Sequence, residues 1–245
     1  SRLVRGEWLA LVLNYLVAMF FALIVDLWFG RAMAQAWVYP PYESTWLGIA
    51  VPLLLHYPLG MLALVENFYA IRLLLKDQKA EKGPRPTGGL SLSPRRNRAY
   101  GIASLLILAL CLVLPPINLF LDSNRNAGEL LFVIMLVSTI AFDGVRELFV
   151  GHSFLGDAWR GKLNQWPAVA VTVVAGFVLN EGPNVFAREW VYTREPFGIP
   201  LPLVLGMGWV FLLSVSLAVH ETTFALVRMI NRPIKAKEMD FSQSL

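Results

Sequence analysis

Apolar and polar positions along this chain do not alternate in stripes; they segregate into long apolar blocks joined by polar segments. A stripe at helical spacing marks a helix with one wet face, whereas an unbroken block of about 20 apolar residues marks a helix surrounded by hydrocarbon. Six blocks run over residues 8–29, 46–75, 99–122, 129–150, 167–186 and 201–230. The pattern predicts an all-α polytopic membrane protein, residues 1–245 forming one bundle of six transmembrane helices. The second and sixth blocks are long enough to tilt or to extend past the bilayer. The fifth is short and is interrupted by "NEGPN" at residues 180–184.

Composition agrees with that pattern. The chain is 56% hydrophobic and only 16% charged, against roughly a quarter charged in a soluble domain. Its single cysteine, Cys111, lies inside an apolar block and forms no intrachain disulfide. No cleavable signal peptide is visible, and the chain opens on Ser1 without an initiator Met.

Charge then orients the bundle. Residues 76–98, "KDQKAEKGPRPTGGLSLSPRRNR", carry seven Lys/Arg in a Pro/Gly/Ser-rich loop. Arg2 and Arg5, Arg160 and Lys162, and the tail 231–245 with Arg232, Lys235 and Lys237 fall on the same side. The opposite side holds Arg31, Arg125, Arg188 and Arg194, together with the aromatic residues Trp37, Tyr39, Tyr42, Trp46, Trp190 and Tyr192. The positive-inside rule places both termini in the cytoplasm of a cell (inner or plasma) membrane. The net charge of +4 is thus a topology signal, with no nucleic-acid partner implied.

A weak repeat relates the first and last hairpins. "AQAWVYPP" and "AREWVYTR" place Trp37 and Trp190 153 positions apart, while "LALVENFYAI" and "LAVHETTFAL" place Glu66 and Glu221 155 apart. The two offsets predict a hairpin repeat of spans one–two and five–six. A threefold version would add the middle hairpin, whose second helix carries Asp143.

Ionisable groups in hydrocarbon cost several kcal/mol each and therefore face a bundle interior or water. At 1.5 Å per residue along a helix, they fall in two layers. The inner layer holds Glu66, Asn67, Asp143, Glu147, His220 and Glu221, with Arg146 as the expected partner of Asp143 and Glu147. The outer layer holds Asp26, Asn118, Asn180, Glu181 and Asn184. Pro183 with Gly182, and Pro115 with Pro116, are expected to break spans five and three there and to open a polar cavity. The bland alternatives are interfacial ion pairing of the inner groups and a structural kink with Glu181 on Arg188.

Glu66, Asp143, Glu147, His220 and Glu221 are candidate ligands for a divalent metal, since carboxylates suit hard cations and imidazole suits zinc or iron. No established ligand spacing accompanies them. His56 and His220 lie at depths that differ by roughly 13 Å at helical rise, too far to share a haem, so haem or pigment is not expected. His56 is expected as a core residue at a kink.

Three function classes fit. A small solute or ion transporter or channel would use the two layers as sites of a pathway. A membrane enzyme acting on a lipid or isoprenoid would work at the inner layer. An accessory subunit, within a homo-oligomer or a larger membrane complex, would use the broken helices for packing. Walker, zincin, rhomboid and desaturase motifs are absent, which weakens the enzyme reading. Residues 180–200, "NEGPNVFAREWVYTREPFGIP", resemble the Glu…Trp-x-Tyr…Gly-x-Pro texture of membrane carotenoid-cyclase-type proteins, over a length that identifies no family. Transport is the leading expectation.

Overall fold

The computed structural model describes residues 8–40, 50–75, 94–122, 127–193 and 195–242. The basic stretch 76–93, and Tyr42 and Trp46 of the first outer loop, lie outside them. So do the side chains of Asn118 and Asp122 and those of the tail.

The helices follow the apolar blocks. Helix α1 (Trp8–Ala22) has no Gly or Pro and continues as a wider π-helical stretch, Leu23–Met33. After β1 (Trp37–Val38), a π-helical turn Pro52–His56 leads into α2 (Tyr57–Leu74). Helices α3 (Pro94–Asp122) and α4 (Ala127–Val150) form the middle hairpin. The short α5 (Phe154–Trp159), capped by Ser153 through Gly156 N–H at 2.9 Å, precedes α6 (Trp166–Ala187). Strand β2 (Val191–Tyr192) and the long α7 (Leu201–Ser242) complete the chain.

Burial is inverted relative to a water-soluble domain. Asp26, Asp143, Arg146, Glu147, Gln165 and His220 are each at most 3% exposed, while Phe20, Leu106, Leu110, Val174 and Leu203 are exposed. An apolar rim around a polar interior is what hydrocarbon solvent selects, because each outward polar group would lack partners there. Among the described residues four helices are long and apolar enough to cross a membrane: Trp8–Gly30, Ala127–Val150, Trp166–Ala187 and Leu201–Val227. The sequence pattern called for six. Helix α2, diluted by Glu66, Asn67 and Arg72, is not among the four, and α3 has its side chains described without a break only over the apolar stretch Arg98–Leu114.

Packing has a two-fold plan. Helices α2 and α7 lie together at the centre; α1 packs on both, and so does α6. Exchanging hairpin α1–α2 for hairpin α6–α7 therefore reproduces the arrangement. Leu64, Val65 and Phe68 of α2 meet Leu213 and Leu217 of α7 and Ala168 and Val169 of α6 in the main core. Ala18, Met61, Phe211 and Val215 make the matching contact among α1, α2 and α7. The middle hairpin attaches asymmetrically, α4 docking on α7. That is a two-fold pair plus an added hairpin, not a threefold array.

Both expected breaks are absent from the backbone. Helix α6 runs through Pro183 to Ala187, and α3 runs through Pro115 and Pro116 to Asp122. Pro183 sits close to the helix end, so it removes one hydrogen bond rather than dividing a span. Arg188 then takes a left-handed conformation (φ 51°) and turns the chain sharply into β2.

Candidate functional site

At one end of the bundle, the two outer loops meet. Strand β1 pairs antiparallel with β2, Trp37 opposite Tyr192 and Val38 opposite Val191. The two copies of Trp-Val-Tyr thus pair with each other about a local two-fold axis at their central valines. Thr193 extends the contact, its N–H donating to Ala36 O at 2.9 Å and its hydroxyl to Gln35 O.

Each copy grips one carboxylate. Asp26 is fully buried and accepts from Trp37 Nε1 at 2.5 Å, Tyr39 OH at 2.9 Å and Tyr57 OH at 3.2 Å. Glu181 is 9% exposed and accepts from Trp190 Nε1 at 3.3 Å and Tyr192 OH at 3.0 Å. Trp and Tyr of the same tripeptide therefore supply the same two donors to an acid on the preceding helix. Glu181 does not pair with Arg188. Burial, then the neighbouring Glu181 charge, raises the Tyr192 phenol well above its ordinary value. The indole of Trp37 lies so close over Gly30 that any side chain at that position would overlap the ring.

Asn184 ties the second loop down, donating from Nδ2 to Trp190 O at 2.9 Å and accepting Trp190 N–H at Oδ1 at 3.1 Å. Asn180 donates to Gly176 O at 2.9 Å, one turn back on its own helix, and is largely exposed. It contributes nothing to the gripping of Glu181, against the expectation that it lines the polar cavity.

The other end holds a charged network. Arg146 on α4 is 1% exposed and donates to Glu221 on α7, Nε to Oε2 at 2.9 Å and Nη2 to Oε1 at 3.3 Å. Its Nη1 stands 3.6 Å from Asp143 Oδ1, an ion pair without a hydrogen bond. The guanidinium lies over the Phe154 ring at 4.5 Å. Tyr69 of α2 donates its hydroxyl to Glu221 Oε1.

Asp143 accepts the N–H groups of Phe154 (2.7 Å) and Leu155 (2.9 Å), anchoring the start of α5 to α4. Glu147 accepts from Ser153 Oγ at 2.8 Å and from Arg160 Nη1 at 2.7 Å. Arg160 also binds Asp157 at 2.7 Å, and the Glu147 hydrogen bond raises its already high pKa further. A side chain at Gly156 would collide with Glu147 and Ser153, so glycine lets α5 lie against α4. His220 Nδ1 takes the Asn14 amide N–H at 3.0 Å across to α1.

The inner layer predicted from sequence is thus partly assembled. Asp143 and Glu221 meet through Arg146 at the α4–α7 contact, whereas Glu147 turns to Ser153 and Arg160 and His220 turns to Asn14 on α1. Glu66 and Asn67 stand apart; both are exposed on the far face of α2, because Leu64, Val65 and Phe68 take the core-facing positions. Arg146 serves Asp143 as expected, but Glu147 belongs to Arg160. Among the described residues no group of three or more His, Cys, Asp or Glu is arranged to hold a metal ion. The candidate ligands are occupied instead by guanidinium, hydroxyl and backbone N–H donors. His56 is exposed rather than a core residue, and shares no site with the buried His220.

Residues that the sequence reading passed over are Asn14, Tyr57, Tyr69 and Ser153. Tyr39, Trp190 and Tyr192 had been assigned to the membrane boundary. Their buried hydroxyl and indole donors, which require acceptors, were the available signal. The chain matches no protein-family model, and no curated protein or solved structure is detectably similar to it.

Proposed function

We propose that this chain is a six-span membrane carrier of a small solute or ion, with both termini cytoplasmic, in the plasma or inner membrane. The observation that carries this reading is the equivalent pair of buried acids, Asp26 and Glu181, each held by the Trp and Tyr of its own hairpin. Paired repeats with their sites at the repeat interface are a recurrent plan of secondary transporters, and parallel repeats related by an axis along the membrane normal are one version of it. Here the interface lies between α1–α2 and α6–α7, which move against each other if the outer strands part. The inner network would close the other end, giving two gates on one bundle. Protein donors already occupy Asp143, Glu147 and Glu221, which favours gating over hydrolytic or metal chemistry there.

The test is reconstitution in liposomes on a solid-supported membrane, with currents recorded against a panel of inorganic cations, anions, amines and carboxylates. A solute that moves charge through the native chain should fail to do so through Asp26→Asn and Glu181→Gln at equal protein density. Undiminished currents in both variants would remove the outer acids from the pathway. Orientation is tested by labelling Ser91→Cys in sealed right-side-out vesicles: protection from an impermeant maleimide is expected, and labelling from outside overturns the topology.

A further inference from the structure

Asp143, Arg146 and Glu221 form a triad with one cation and two carboxylates, and all three side chains are more than nine-tenths buried. Its formal charge is therefore −1 in a place where an uncompensated charge costs several kcal/mol. Among the described residues, Arg160 also lies at this end of the bundle and is committed to Glu147 and Asp157. Among the described residues, the other titratable groups around the triad are Tyr69 on α2, Tyr100 on α3, Glu147 on α4, His220 on α7 and His152 in the connection to α5. His220 is hydrogen-bonded through Nδ1 to the Asn14 amide on α1.

Arg146 is also unfinished. Its Nη1 is buried, has no hydrogen-bond partner and faces Asp143 at 3.6 Å. That gap is a bond waiting for a small turn of the guanidinium, which the Glu221 pair now prevents.

We propose that the triad is a proton-binding site and that the bound proton moves Arg146 between its two acids. A proton taken from water at the inner end adds to a Glu221 oxygen and cancels the excess charge. The Arg146–Glu221 ion pair breaks, Nη1 closes on Asp143, and neutral Glu221 keeps its place through Tyr69. Release of the proton reverses each step. Because Glu221 sits on α7 and Asp143 on α4, the exchange removes the ion pair between the middle hairpin and the central helix and ties Arg146 to the acid that anchors α5. In terms of transport this rests on the carrier reading above, for which the proton would be the coupling ion. The protonation itself does not.

Infrared difference spectroscopy of the lipid-reconstituted protein tests it, reading the C=O stretch of protonated carboxylic acids, which shifts in D₂O. The spectrum of the native chain minus E221Q should show one such band, and native minus D143N should show the same band. With Asp143 neutral, Arg146 and Glu221 balance and no proton is needed. Acids elsewhere in the chain cancel in both differences. A native chain without the band, or a band retained in either variant, overturns the proposal. If D143N fails to fold, E221Q alone decides. No difference band together with intact transport refutes the proton site and leaves the carrier standing. The band without transport of any solute does the opposite.

Discussion

The two polar layers solve one problem with opposite chemistry. At the outer end, Asp26 and Glu181 are held by neutral donors, indole N–H and phenol O–H, all from loops or the adjoining helix. At the inner end, Glu147 and Glu221 are held by guanidinium groups within the helical packing. Both layers have carboxylate acceptors, but at the inner end the donor is charged as well and adds ion-pair attraction to the hydrogen bonds, so the inner layer is the mechanical joint. The outer acids take indole and phenol donors, and releasing those donors strands no charged group on the donor side. The contrast teaches that burying an acid does not by itself define a role; the charge of its partner sets how readily it is released.

The sharpest way to break the contrast is to remove the inner cation. Arg146→Met should destabilise by about 3–5 kcal/mol, the usual result of stranding one half of a buried pair, and should lower the thermal midpoint more than any outer-layer change. A midpoint close to that of the native chain would show that the inner joint carries little. Next in size is Asp26→Ala, at roughly 1–3 kcal/mol in total, because the Trp37, Tyr39 and Tyr57 donors lose this acceptor while Trp37 and Tyr57 are only half-buried. Asp26→Asn should recover most of that loss, because the amide oxygen still accepts.

The smallest effect belongs to Tyr192→Phe, which removes one hydrogen bond to Glu181 at about 1 kcal/mol, and it carries a pH signature. The Tyr192 phenol is raised in the fold by burial and by Glu181, whereas an unfolded tyrosine ionises near pH 10. Above about pH 10 the unfolded chain has lost a proton that the folded chain retains, so stability falls as pH rises. Below that pH the term is constant. Melting profiles in detergent should therefore decline less steeply above about pH 10 for Tyr192→Phe than for the native chain. Parallel declines would mean that Tyr192 is not the group responsible.

Helical architecture was legible in the sequence because apolar blocks of span length have few other folded outcomes. Residues 127–150, 166–187 and 201–227 emerge as membrane-length helices close to where the blocks lie. The site was legible in kind but not in partnership. Depth along a helix follows from counting residues, so Asp143, Glu147 and Glu221 could be placed at one level. Azimuth depends on which neighbour packs where, and that turned Glu66 and Asn67 outward. Proline as a breaker misled for a related reason: position within the helix, not presence, sets its effect. The Trp-Val-Tyr repeat was visible, but pairing of its two copies with each other requires the loops to meet in space.

That pairing has a consequence for the order in which the chain assembles. Asp26 meets Trp37 and Tyr39 at separations of 11 and 13 residues, and Glu181 meets Trp190 and Tyr192 at 9 and 11. The bond from Thr193 to Gln35 that joins the two loops spans 158 residues. Local contacts close early and distant ones late, so each hairpin can satisfy its own acid as it enters the bilayer. The first hairpin then holds Asp26 on its own donors while the rest of the chain is still being made. The strand contact is left as the last closure, a seal formed only after both halves are present.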